Sequence, residues 1–181
     1  MAGPRNHNPV TRVIAKVIAG RTGQGMLEFA VVAPLLLALL MALIDITRAV
    51  YYAQVSSGLT RQGSNLASRG TTLPDTISAV IQGEAPLDLD KFGEVIVTSV
   101  AKIKGVNRIT GQKSQGGLSQ SSKIGLGVGS PATLPLQAEP MLRTGETVYI
   151  TEVFYAYQPI TPIGNILNLV WPSSLYEVAY F

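Results

Sequence analysis

The sequence predicts an α+β protein: a long N-terminal transmembrane and stalk α-helix that carries a small C-terminal domain containing an antiparallel β-sheet. Three observations predict it. Met26 to Ile46 reads MLEFAVVAPLLLALLMALIDI, with no charged side chain from Phe29 to Ile44. A thin apolar stripe at helical spacing, including Ile46, Ala49, Val50, Ala53, Leu66 and Ala67, continues the pattern to about Arg69. Further on stand separate runs rich in β-branched and aromatic residues, EVIVTSVAKI at Glu94 to Ile103 and a clearer one from Glu146 to Tyr157.

The apolar run comes first. At 1.5 Å per residue its 21 positions make a helix of about 31 Å, the thickness of a hydrocarbon core. A buried core helix is the alternative, but apolar character on every face over this length is uncommon in a small soluble domain. A cleaved secretory signal would have a shorter apolar region followed by a small-x-small site, and DITRAVYYAQ at Asp45 to Gln54 offers none. The run therefore reads as an anchor that is retained.

Charge gives the anchor a direction. Residues 1–23 hold Arg5, Arg12, Lys16 and Arg21 and no acid, leaving 10 basic against 11 acidic side chains in the other 158 residues. The net charge of +3 thus belongs to one short end, and the body is about neutral. That is the pattern of a membrane-orienting leader, not of a nucleic-acid surface, so no nucleic acid is expected as a partner. By the positive-inside rule the N-terminus is cytoplasmic and the bulk of the chain lies across the membrane. Three segments follow: 1–23 a basic cytoplasmic leader, 24–70 a transmembrane helix and stalk, and 71–181 an extracytoplasmic α+β head.

Within the rod, Glu28 sits among Met26, Leu27, Phe29, Ala30, Val31 and Val32. A carboxylate has no reason to be there if the helix only floats in lipid, where a charge costs about 2.5–3.5 kcal/mol at mid-span and less near an end. Placement at headgroup level, beside the positive end of the helix dipole, is the alternative for that residue alone. Pro34 removes one intrahelical hydrogen bond and frees the carbonyl of Ala30, which reads as a kink.

The order of charge, glycine, glutamate and apolar run in G-Q-G-M-L-E-F, Gly23 to Phe29, resembles the processing site of type IV prepilins. More specifically, GQGMLEFAVVAPLLLALLMALIDITRAVYYA is similar to the start of a TadE-like protein, the minor pilin or pseudopilin class of the tight-adherence (Tad, Flp, type IVc) pilus. The residues that carry it are Gly23, Glu28 and Phe29 at the helix entrance, Pro34, and the stretch Asp45 to Arg48. The later segment Thr147 to Pro159 looks like that family's closing strand-and-proline segment. The resemblance implies a pilin-like fold and cleavage between Gly23 and Gln24 by a prepilin peptidase, which makes Gln24 residue one and Glu28 residue five. It also implies that Glu28 is an assembly contact, pairing with the new ammonium of a neighbouring subunit. The partners implied are the prepilin peptidase, other minor pilins (TadF-like), the major Flp pilin, the inner-membrane assembly platform and membrane lipid. The implied place is a bacterial inner membrane, single pass, with the head periplasmic or extracellular and at or near the pilus tip, in the service of adhesion and biofilm formation. A signal-anchored binding module of an envelope complex shares this topology and is the other reading.

The head is read from local pattern. Gly70 ends the stalk, and a short helix runs from Pro74 or Asp75 to Gln82 with Thr72 or Asp75 as its cap. Gly111 to Ser130 lacks periodicity and reads as a surface loop or β-excursion, Gly164 to Val170 as a helical turn, and Leu175 to Phe181 as a last strand. Tyr51 and Tyr52 fit either an interfacial belt or packing against the head. The chain has no cysteine and one histidine, His7 in the leader, which excludes disulfides, thiolate chemistry and any His-based triad in the head. GLGVG at Gly125 to Gly129 lacks the strand and helix of a phosphate loop, and Glu84, Asp88 and Asp90 do not have EF-hand spacing. No cofactor, no metal and no catalysis are expected.

Overall fold

The structure, a computed structural model, describes residues 9–134, 138, 142–143, 145–164 and 174–181, with side chains in the first helix from Gly23 onward. Helix α1 spans Pro9–Ser68 and passes through Gly23 without a break. Its 60 residues make a rod of about 90 Å. The expected helical turn near 164–170 lies, beyond Gly164, outside the described residues, as do residues 1–8 of the expected leader.

Helix α2, Leu73–Gln82, starts where a reciprocal cap forms: the Asp75 amide donates to the Thr72 hydroxyl oxygen (3.3 Å), and that hydroxyl donates to the Asp75 carboxylate (2.6 Å). Both residues expected as caps thus act together. After a one-turn helix α3, Leu89–Phe92, come four strands: β1 Gly93–Ile103, β2 Val106–Gly116, β3 Thr147–Tyr155 and β4 Leu175–Tyr180. They form one antiparallel sheet in the order β2-β1-β3-β4. The α+β class and the strands read at Glu94, Glu146 and Leu175 stand as expected. The stretch from Gly111 divides: residues up to Gly116 extend β2, and the rest folds back as a flap.

The sheet has two covered faces. Val95, Val97, Val153 and Tyr155 point at α1 and α2 and form one core with Ala49, Tyr52, Leu59, Ile77 and Val80. Val100, Val148 and Ile150 point the other way and pack with Ile109, Ile124 and Leu134, beneath the flap and the loop that follows it. Alternation along strands β1 and β3 therefore separates two apolar faces, not an apolar face from a wet one.

Helix α1 meets β3 and β4 along Ala49, Tyr52, Ser56, Leu59, Gly63 and Ala67, a stripe of period near 3.6 composed mostly of small residues. A Cβ on Gly63 would lie 2.8 Å from the Thr151 side chain, so glycine sets the distance between helix and sheet. The Ser64 hydroxyl accepts from the Thr151 amide (3.0 Å) and donates to the Ala179 carbonyl (2.8 Å), bridging a pair where the β3–β4 register would place a direct ladder bond. The helix is stitched into the sheet by its own side chain.

Candidate functional site

From Gly23 to Ile44 no residue of α1 is buried, and the first that is buried is Asp45. Met26, Leu27, Phe29, Leu35 and Leu39 are each more than 60% exposed, which in water is a large apolar liability. The described part of the helix, Gly23–Ser68, is long and apolar enough to cross a membrane. The chemistry of this end is therefore that of a greasy rod standing clear of its own head.

At the entrance of the rod all five sequence-predicted positions, Gly23, Gln24, Glu28, Phe29 and Pro34, lie on one continuous helix. Gly23 and Gly25 have open space where a Cβ would be, and Gly23 and Gln24 are both exposed. Gln24 and Glu28 stand one turn apart, and the Gln24 side-chain amide donates to the Glu28 carboxylate at 3.0 Å. Phe29 lies on an apolar surface with Gly25, Met26 and Ala30. Pro34 sits inside the helix, within the exposed stretch.

The other end of the rod is a latch that sequence reading did not identify as such. Asp45 is 4% exposed. Its carboxylate accepts from the Ile160 amide at 3.0 Å and from the Thr161 hydroxyl, while its backbone carbonyl accepts from the Tyr157 phenol at 2.8 Å. The segment after β3 is thereby clasped to the helix just where the apolar run ends. Gly164 completes the clasp, since a Cβ there would collide with Pro159 and with Asp45 itself. One turn further on, the Arg48 guanidinium donates to the Tyr52 hydroxyl at 2.6 Å, and the Tyr52 ring packs edge-on against Tyr155 and Tyr157. Burial pushes the Tyr157 phenol above its ordinary pKa, with Asp45 adding to the shift and Arg48 opposing it. Tyr51, by contrast, points outward and is half exposed. Of the pair, Tyr52 is the one that packs against the head.

Two further acids hold the flap. Glu152, fully buried in β3, accepts from the Ser122 hydroxyl, the Lys123 amide (2.9 Å) and the Tyr176 phenol (3.0 Å). Glu94 accepts from the Gln120 amide. Burial, then the neighbouring Glu152 charge, raises the Tyr176 phenol well above its ordinary pKa. Among the described residues no group of three or more His, Asp or Glu is placed to hold a metal ion, and Glu84 spends its carboxylate on the Leu89 amide.

The arrangement is an exposed apolar rod with one acid near its N-terminal end, joined at its far end to the head through Asp45. No curated protein and no solved structure matches the chain. Residues 23–64, the rod and the first part of the stalk, match the family model described as TadE-like protein, and that match supports a TadE-like protein of the Tad pilus system.

Proposed function

We propose that the chain is a minor pilin or pseudopilin: a prepilin peptidase cuts it after Gly23, and it then takes part in the initiation, assembly or tip structure of a Tad-type pilus. The N-terminal side of the rod faces the cytoplasm and the head stands across the membrane. The protein works by assembly, without catalysis, beside TadF-like minor pilins, the major Flp pilin and the assembly platform, with adhesion and biofilm formation as the outcome.

The observation that supports this reading is the exposed Glu28 carboxylate, one helical turn after the exposed residues Gly23 and Gln24. Among the described residues of the uncut chain its hydrogen-bond partner is the neutral side-chain amide of Gln24, on the same helix. Cleavage turns Gln24 into an ammonium, and a neighbouring copy's ammonium against Glu28 forms a charge-assisted pair in surroundings of low dielectric. The acid at the mouth then selects helices that have been processed.

Two measurements test it. Mass spectrometry of the mature protein from its host is expected to find Gln24 first, whereas an assembled protein that still begins with its arginine-bearing leader would end the processing step. Glu28→Gln is expected to insert in the membrane normally and fail to be captured with pilus components; capture at the wild-type level would end the assembly role. An uncut, unincorporated protein would instead be a signal-anchored module of an envelope complex.

A further inference from the structure

The end of the head farthest from the rod carries a second, unrelated surface. Tyr155 of β3 packs on Tyr52, and Thr151 binds Ser64, so β3 climbs away from the membrane end when followed backwards along the chain. Strand β1 is antiparallel to β3 and pairs Val97 with Thr151, which sends residues 98–103 further in the same direction. Those six residues extend about 20 Å beyond the level of Ser64, while the helix continues only about 6 Å to Ser68. The β1–β2 hairpin therefore overhangs the stalk, and its tip is the distal end of the strands.

That tip has an unusual composition. Ile103 and Val106 face each other across the turn, and both are more than 40% exposed. Lys102, Lys104 and Arg108 flank them in sequence, with the Arg108 guanidinium donating to the Gly129 carbonyl (2.8 Å), and the hairpin tip from Lys102 to Arg108 contains no acid. Lys104 and Gly105 form the two-residue turn, both with positive φ (53° and 80°). At the first of these positions asparagine or glycine is favoured, so the turn holds a strained lysine where a neutral residue would fold better.

We propose that this hairpin tip docks on an anionic phospholipid bilayer facing the distal end of the head, a membrane other than the one that holds the rod. The cations meet the phosphates, and Ile103 and Val106 enter the acyl boundary. A hydrated acidic polymer would satisfy Lys102, Lys104 and Arg108 but offers no hydrocarbon for the two aliphatic side chains. A folded acidic protein needs an interface of roughly 1,000 Å², and the tip is a single two-residue turn with its flanks. A bilayer asks only for a small basic and apolar point. This surface is independent of cleavage after Gly23 and of Glu28, so it stands or falls apart from the assembly reading.

The test uses the full-length chain in nanodiscs of phosphatidylcholine, mixed with vesicles of phosphatidylcholine alone or containing phosphatidylglycerol at physiological ionic strength. Cosedimentation with the anionic vesicles only is expected. Each cation near such a surface contributes roughly fivefold in affinity, so Lys102→Gln, Lys104→Gln and Arg108→Gln together should weaken binding on the order of a hundredfold. Lys104→Gly is the decisive single change. It relieves the turn, so the head should melt no lower than the wild type, yet binding should fall by roughly a factor of five. Equal binding to both kinds of vesicle, binding to neither, or a Lys104→Gly protein that melts normally and binds undiminished would overturn the proposal.

Discussion

Asp45→Ala should loosen the head from the rod without unfolding the sheet. The substitution removes both carboxylate acceptors, leaving the Ile160 amide and the Thr161 hydroxyl without their partner, while the Tyr157 bond to the backbone carbonyl survives because it does not involve the side chain. Hydrogen bonds to a charged group contribute about 1.5–3 kcal/mol each, so two of them set a ceiling of roughly 3–6 kcal/mol. Ile160 is exposed and water can reach its amide, which brings the expected loss down to about 2–3 kcal/mol of local opening energy. Amide hydrogen exchange on the full chain in detergent reads this directly: at Ile160 the exchange rate should rise about 30- to 150-fold, with little change at Val95 or Val153 in the core. Asp45→Asn keeps one acceptor for the Ile160 amide, and its amide group can donate to the Thr161 hydroxyl, so it should recover at least half of the loss. Unchanged exchange at Ile160 in the alanine variant, or equal acceleration across the whole sheet, would refute the latch.

The remaining predictions concern the acids of the head. Glu152→Ala leaves the Ser122 hydroxyl, the Lys123 amide and the Tyr176 phenol without their acceptor, and breaking such a buried cluster costs on the order of 3–5 kcal/mol; urea unfolding measures it, and protease cuts between Gly117 and Ser130 should appear early. Burial, partly opposed by Arg61, raises Glu177 above its ordinary value of 4.5, so the folded state holds that proton more tightly than the unfolded chain does. Its contribution to stability is therefore full below 4.5 and is lost as pH rises through the folded-state pKa. Glu177→Gln should raise the melting temperature at neutrality relative to the wild type, with the difference shrinking toward zero well below 4.5. A constant difference at all pH values would show that packing, not titration, causes it.

What the sequence disclosed follows from where each element finds its apolar partners. The rod, α2, β1 and β3 carry their own periodicity, and the Thr72 cap is written in four consecutive residues, TLPD. Strand β2 was harder because it lies at the sheet edge: of VNRITGQKSQG only Ile109 is buried, so nothing in the run alternates. Glu152 misleads for a related reason. Its neighbours Thr151 and Val153 face the helices, so alternation assigns the glutamate to the opposite, solvent-facing side; that side is in fact roofed by a flap whose own sequence is glycine, serine and glutamine. Asp45 was visible as the acid that closes the apolar run, but its partners, Ile160 and Thr161, stand 115 and 116 residues later, beyond any local pattern. The family match likewise ends at residue 64, so the head is legible only through its own packing.

The position of Asp45 also constrains how the rod can leave a bilayer. Among the described residues the head is clasped at Asp45, and none from Gly23 to Ile44 is buried, so the apolar run offers its surface to lipid or to other helices. Moving Leu35, Leu39 and their neighbours from lipid to a bundle of similar rods exchanges one hydrocarbon environment for another, and the hydrophobic term of that transfer is close to zero. The direction must then come from polar terms. In the proposed filament, Glu28 gains a cationic partner it lacks in lipid, and the carbonyl freed by Pro34 gains neighbours able to satisfy it. On the proposed function, a rod with Glu28 replaced by Gln keeps all of its apolar area and is expected to lose the polar term that favours the bundle over lipid.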